Sequence, residues 1–131
     1  RANVTITPKT ATTFRLHSTA VQSGDLKWIA ASGLEGATRV NIDLKGNGNY
    51  RVKLHFMEPE NLKIGQRVFD VALQGKTMLR DLDITKSAAG IRRAIVKEFT
   101  VNIQDQALTI DLTPQGKKPP VLSGIQWHHK P

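Results

Sequence analysis

The sequence contains no cysteine, and this absence excludes disulfide bonds, thiol nucleophiles and cysteine-ligated zinc sites. It also has no run of about 18 apolar residues, the length that a membrane-spanning helix requires, so we expect no insertion into a membrane. The start, RANVTITPKT, lacks the apolar segment of a signal peptide, and there is no initiator methionine. We therefore interpret the chain as a mature product or as a module excised from a larger protein.

Acidic side chains are scarce, because 11 Asp and Glu stand against 19 Lys and Arg and leave a formal net charge of +8. Such a charge attracts polyanions, including nucleic acid, anionic glycans and anionic lipids, although an ordinary solvated surface also accounts for it. The chain has 131 residues, which is close to the roughly 150 residues of a typical domain. We predict a single domain over residues 1–131.

Apolar and polar residues alternate along most of the chain, as expected for strands with one buried face. The clearest runs are Val4–Ile6, Phe14–Leu16, Val40–Leu44, Tyr50–Phe56, Phe69–Leu73, Phe99–Ile103, Leu108–Leu112 and Ile125–Trp127. Turn-forming residues separate them, at 23–25, 46–49, 74–75, 88–90 and 114–120. The segment 88–99 contains helix formers, but Ile95 and Val96 favour a strand there.

This pattern predicts an all-β fold, a two-sheet antiparallel β-sandwich with a jelly roll as its arrangement. The predicted core consists of Leu54, Phe56, Phe69, Val71, Phe99, Val101, Ile110 and Ile125.

The stretch Tyr50–Ile84, YRVKLHFMEPENLKIGQRVFDVALQGKTMLRDLDI, resembles the malectin family of carbohydrate-binding domains. The family pattern is Y-x-V-x-L-x-F-x-E, a loop, R/K-V-F-D-V-x-x-x-G and D-x-D-I, and the sequence meets each position. A looser likeness continues through FTVNI, LTIDL and PVLSGI. The resemblance implies a galactose-binding-like sandwich that recognises sugars, a secreted or cell-surface location, and attachment to the rest of a larger parent protein.

The sugar site of the family is altered in this chain. In the family, aromatic rings in the loop after the first motif strand carry the sugar, and an acidic residue before the final strand holds its hydroxyls. The corresponding loops here, Glu58–Ile64 and Gln115–Pro120, carry amide and charged side chains instead. The candidate ligand-binding residues are Glu60, Asn61, Lys63, Lys117, Lys118 and, as a ring platform or an inward-facing strand residue, Trp28.

These substitutions change the expected ligand. Ammonium donors gain most from charged acceptors, so the lysines favour an acidic glycan over neutral glucose. The chain has only seven aromatic residues, and its four phenylalanines all fall on the core-facing phase of strands. Tyr50 and Trp127 are likewise interpreted as structural.

The acidic motif residues Asp81 and Asp83 are two apart, so on a regular strand their carboxylates point the same way. Such a pair could bind calcium or act in acid–base chemistry, but we favour a structural role in which strand-end carboxylates accept N–H groups from turns. For Asp70 we expect a salt bridge with Arg67 or Arg80.

Catalysis has no support in the sequence. His17 and His55 lie at polar phase in strands, and the adjacent His128 and His129 point to opposite sides and make a poor metal site. The H-E-x-x-H, G-x-S-x-G, phosphate-loop and dinucleotide motifs are all missing. We expect no enzymatic activity, no cofactor and no metal.

Two other function classes remain open. Nucleic-acid binding fits the charge, but the aromatics alternate inward and the basic residues scatter, so we do not expect this partner. A structural or protein-interaction β-sandwich without a sugar ligand is the stronger alternative. The predicted function is a non-catalytic carbohydrate-binding module of a larger secreted or cell-surface protein, with a glycan or polysaccharide as partner and an acidic one favoured by the loop lysines.

Overall fold

The computed structural model describes residues 4–15, 32–90 and 93–130, and strands dominate them. The elements are β1 (Val4–Thr7), β2 (Thr12–Arg15), β3 (Ser32–Glu35), β4 (Arg39–Asp43), β5 (Gly48–Phe56), β6 (Phe69–Leu73), β7 (Lys76–Leu82), α1 (Ile84–Ser87), β8 (Ile95–Ile103), β9 (Ala107–Pro114), β10 (Val121–Leu122) and β11 (Gly124–Lys130). The strand predicted within residues 88–99 is confirmed from Ile95 onward, where β8 begins.

The strands form two layers. One layer is a five-stranded antiparallel sheet with the order β1-β4-β9-β6-β7, and the other consists of two three-stranded sheets, β10-β3-β2 and β11-β5-β8. Only Ser123 separates β10 from β11, and its N–H donates to the carbonyl oxygen of His55 in β5 at 2.8 Å, so the chain itself joins the two smaller sheets. The predicted all-β, two-sheet antiparallel sandwich is confirmed, while the jelly-roll arrangement stays a prediction.

The alternation seen in the sequence places one face of each long strand between the layers. Among the predicted core residues, those that are buried are Leu54, Phe56, Phe69, Val71, Val101 and Ile110. Phe99 and Ile125 are half-buried and pack against this core, because β8 and β11 lie at the edges of their sheet. The side chain of Phe14 and all of Leu16 lie outside the described residues.

The two ends of the sandwich differ. At one end, here called the turn end, tight turns at residues 44–47, 74–75 and 104–106 connect the strands. Gln74 and Gly75 both have positive φ, 54° and 78°, as a two-residue type I′ hairpin requires. The N–H of Leu44 donates to the carbonyl oxygen of Gln106 at 2.7 Å. At the opposite end, here called the loop end, β5 leads into a long loop that reaches β6, and β9 leads into residues 115–120.

Candidate functional site

The loop end brings together the two loops that the resemblance associates with a ligand. The N–H of Gln115 donates to the carbonyl oxygen of Val68 at 2.9 Å, and the N–H of Gly36 donates to that of Pro120 at 2.9 Å. Across the loops, the Lys118 ammonium lies 3.0 Å from Glu60 Oε1. Sequence-distant segments therefore form one surface.

A buried arginine holds this surface in place. Arg67 Nε and Nη2 donate to the two carboxylate oxygens of Glu58, at 2.8 and 3.1 Å. Nη2 also donates to Glu60 at 2.7 Å, while Nη1 donates to Glu35 at 3.0 Å and to the carbonyl oxygen of Pro119 at 2.6 Å. All five guanidinium N–H groups can thus be satisfied.

We call Arg67, Glu35, Glu58, Glu60 and Lys118 the Arg67 cluster. The side chains of Arg67 and Glu58 are each 1% exposed, whereas those of Glu60 and Lys118 are about two-fifths exposed, at 39% and 40%. Three carboxylates and two cations leave one net negative charge. The cluster is therefore a buried ion pair with a rim that reaches solvent.

The pKa values follow from these contacts. Burial alone lowers the pKa of Arg67, but the hydrogen bonds and charges of Glu58 and Glu35 outweigh burial and raise that pKa above its ordinary value. The hydrogen bond from Lys118 lowers the pKa of Glu60 against the opposing effect of burial, and Arg67 contributes to the same shift. The cluster thus favours the charged forms of Arg67 and Glu60.

The predicted ligand residues separate into two groups. Glu60 and Lys118 pair with each other inside the Arg67 cluster. Asn61, Lys63 and Lys117 are exposed, and within the described ranges neither of these two lysine ammoniums forms an ion pair. Trp28 lies outside the described residues.

The acidic motif residues have structural contacts that the sequence only partly anticipated. The predicted salt bridge from Asp70 to Arg67 or Arg80 is wrong: Asp70 accepts the N–H of Asp81 at 2.8 Å and the side-chain amide of Gln115 at 3.0 Å. Arg67 is unavailable because its cluster occupies it.

Asp81 and Asp83 do not share one face of a regular strand. The register of β7 shifts against β6, and Asp81 has a φ of 52°, so the strand is irregular at this point. Asp83 lies past the end of β7 and caps α1, where it accepts the N–H groups of Lys86 at 3.2 Å and Gly65 at 2.5 Å. The expected structural role is confirmed for Asp83.

His55 has the predicted phase, opposite to the core-facing residues of β5, but it is buried rather than exposed. Within the described part of the chain, neither ring nitrogen has a hydrogen-bond partner. Burial lowers the pKa of His55, and the charge of Lys53 lowers it further. His17 lies outside the described residues.

This environment predicts a pH dependence. The folded chain binds a proton on His55 less readily than the unfolded chain, whose histidine pKa is near 6.5. Neutral His55 therefore makes its full contribution to the free energy of unfolding above the pKa of the unfolded chain. That contribution is lost as the pH falls through the lower pKa of the folded chain. We expect His55→Leu to flatten the fall in unfolding free energy below pH 6.5, measured by urea denaturation across this range.

The matched control for His55 is His128→Leu, at an exposed position on β11. An equally steep fall in stability in both variants would contradict the role assigned to His55.

The described residues contain neither a cluster of metal ligands nor a membrane-spanning helix. Among residues 4–15, 32–90 and 93–130, no three histidines or acidic residues gather as a metal site would require. The same ranges contain no helix that is long and apolar enough to cross a membrane.

Comparison with known proteins connects this architecture to a family. The sequence model of the malectin domain family matches residues 8–126 of this chain. A probable LRR receptor-like serine/threonine-protein kinase of Arabidopsis thaliana is 43% identical over an alignment of 77 residues, and the match covers 54% of this chain and 8% of the relative. The chain thus spans less than a tenth of that relative's length.

Two solved structures share the fold. The extracellular domain of ANXUR1 from Arabidopsis thaliana has a TM-score of 0.71 at 16% identity, covering 88% of this chain and 37% of that one. A β-glucuronidase of Bacteroides uniformis has a TM-score of 0.71 at 16% identity, covering 84% of this chain and 12% of the enzyme. These likenesses confirm the β-sandwich fold.

The predicted secreted or cell-surface location is confirmed, since the relatives are receptor-like proteins and the ANXUR1 match is to an extracellular domain. The family match covers nearly the whole chain, and the motif residues include Glu58 and Arg67, which form the buried ion pair, and Asp83, which caps α1. The chain therefore belongs to the malectin domain family.

Proposed function

We propose that the chain is a non-catalytic recognition module of a larger, receptor-type extracellular protein, and that it binds an acidic glycan at its loop end. The ligand surface consists of the loops Glu58–Ile64 and Gln115–Pro120. The receptor-like relatives support the attachment to a larger protein. The chemistry of the loops supports the choice of ligand.

The observation that carries this proposal is the Arg67 cluster. It fixes both loops through a buried arginine and the ion pair between Lys118 and Glu60, while Lys63 on one loop and Lys117 on the other remain exposed. Binding to a surface that is already ordered avoids the entropy cost of ordering loops. Two exposed ammonium groups on a rigid frame favour ligands that carry carboxylates or sulfates.

A neutral sugar fits this surface less well. Neither loop contains an aromatic residue, so neither offers a ring on which the C–H face of a pyranose can stack. Lysine donates without accepting, and its hydrogen bonds are strongest to charged acceptors. The loops therefore select for anionic groups on the glycan.

The geometry also supports a binding role over catalysis at this end. Glycoside hydrolysis requires a carboxylic acid and a second carboxylate that are free to act on the substrate. Here both oxygens of Glu58 accept hydrogen bonds from Arg67, and both oxygens of Glu60 are held by Arg67 and Lys118. These carboxylates stabilise the loops.

The test is a calorimetric titration with a uronic-acid oligosaccharide, a sulfated oligosaccharide and a neutral glucan oligosaccharide. We expect the double variant Lys63→Ala, Lys117→Ala to weaken binding of an acidic oligosaccharide by about two- to thirtyfold, as for the loss of two exposed ionic contacts. The retained Lys118 keeps the Arg67 cluster intact.

The matched control is Lys76→Ala, Lys130→Ala, which removes the same charge from exposed positions at the turn end and should leave the affinity unchanged. Equal losses in both double variants would show general charge attraction and reject the site. Tight binding of the neutral glucan alone would reject the acidic ligand. Binding of none of the three would favour the structural or protein-interaction alternative.

A further inference from the structure

The start of the first strand carries a modification motif that the ligand surface does not use. Residues 3–5 read Asn-Val-Thr, and an asparagine followed two positions later by serine or threonine is the acceptor motif for N-linked glycans in secreted proteins. Of the six asparagines in the sequence, only Asn3 stands in such a motif. From this motif, its place in the fold and the cell-surface location, we infer that Asn3 carries an N-linked glycan.

The hydroxyl residue of the motif, Thr5, is exposed in the structure. Asn3 lies just outside the described residues, whereas Val4 and Thr5 are the first two residues of β1. Thr5 lies opposite Asn41 in β4, but the side-chain oxygen of Asn41 accepts the hydroxyl of Thr109 in β9 at 2.8 Å. Within the described part of the chain, the Thr5 hydroxyl has no hydrogen-bond partner, so the fold does not require a hydroxyl here.

Strand β1 has room beside it for a large substituent. It lies at the edge of the five-stranded sheet, and among the described strands it pairs only with β4. The side chain of Val4 is an exposed large hydrophobic group, with an exposed fraction of 51%. A glycan on the preceding residue covers this apolar group and the open edge, whose unpaired backbone groups otherwise invite pairing with another chain.

The motif is far from the proposed ligand loops. Val4 pairs with Ile42, which also pairs with Leu108 in β9. From Leu108, β9 runs six residues farther to Pro114, directly before the loop at 115–120, which is about 20 Å at roughly 3.3 Å per residue. A glycan at the start of β1 therefore leaves the loop end open for recognition.

The modification transfers an oligosaccharide to the side-chain amide of Asn3. The amide nitrogen forms a bond to the anomeric carbon of the oligosaccharide, and the bond between that carbon and a phosphate oxygen of a lipid diphosphate donor breaks. The lipid diphosphate leaves, and the amide gives up one proton. Because the motif requires a hydroxyl two residues after the asparagine, serine can replace Thr5 but alanine cannot.

The test is to secrete the chain from cultured mammalian cells and to measure its intact mass before and after digestion with peptide N-glycosidase. This enzyme releases the glycan and converts the asparagine to aspartate. Trypsin then yields a peptide of residues 2–9, in which Asn3 is the only asparagine. We expect the intact mass to fall on digestion and residue 3 of this peptide to be aspartate. Asn3→Gln and Thr5→Ala should each abolish the mass change, while Thr5→Ser should retain it.

The matched control is Thr7→Ala, which makes the same chemical change two residues farther along β1, at another exposed position. This variant should carry the glycan as the parent chain does. A parent chain whose mass does not change on digestion would overturn the inference, and so would a glycan that is retained in Thr5→Ala or lost equally in Thr7→Ala. The mass of the chain does not depend on any ligand, so a failure of the acidic-glycan proposal leaves this result unaffected.

Discussion

Replacing Arg67 with methionine is expected to lower the free energy of unfolding by about 3–5 kcal/mol, the usual cost of removing one partner from a buried ion pair. The methionine fills much of the same volume but removes the guanidinium from Glu58, which is 1% exposed and keeps only the N–H of Glu60, at 3.1 Å from Oε2, among the hydrogen bonds of the described residues. Glu35, Glu60 and the carbonyl oxygen of Pro119 lose a donor as well. Urea denaturation measures the change directly.

The control for Arg67 is Arg39→Met. Arg39 also forms an ion pair, with Asp111 at 2.7 Å, but its side chain is 59% exposed, and such surface pairs contribute about 0–1 kcal/mol. If both variants lost the same small amount of stability, the Arg67 cluster would not be the element that holds the loop end.

Replacing Phe69 with alanine is expected to cost about 3–5 kcal/mol, since removing a fully buried ring loses its transfer free energy and leaves a cavity. Phe69 is fully buried in β6, and its ring centroid lies 5.9 Å from that of Phe56 in β5, in the opposite layer. The contact therefore joins the two sheets, and its loss should appear in the denaturation midpoint.

Phe99→Ala makes the same chemical change at a half-buried position of the edge strand β8 and should cost less. A loss for Phe69→Ala no larger than that for Phe99→Ala would contradict the placement of the core between the layers.

Local periodicity was sufficient to predict the sandwich and most of its core. Alternation with a period of two depends only on neighbouring residues, and it correctly assigned Leu54 and Phe56 in β5 and Ile110 in β9 to the interior. The alternation overestimated the burial of Phe99, because the phase of a residue in a strand does not show whether that strand lies at the edge or in the centre of its sheet. It also missed the irregularity at Asp81, where the positive φ breaks the alternation.

The contacts of the candidate site could not be predicted in the same way. Arg67 pairs with Glu35, 32 positions away, and with the carbonyl oxygen of Pro119, 52 positions away, so its partners depend on how distant loops meet. The only local sign of this cluster in the sequence was Arg67 itself, a basic residue directly before the apolar VFDV strand. Likewise, Glu60 and Lys118 were chosen as separate ligand residues, but the fold brings them together as an ion pair.

The central claim is that the loop end recognises an acidic glycan through lysines on a rigid frame. A map of backbone amide NMR shifts during titration with a uronic-acid oligosaccharide tests it most directly, at two salt concentrations because exposed charges are screened over about 8 Å at physiological ionic strength. We predict saturable shifts concentrated at residues 58–64 and 115–120, which require more ligand at high salt and after the loss of Lys63 and Lys117. Shifts spread over all basic surfaces, or no shifts in these two loops, would contradict the account.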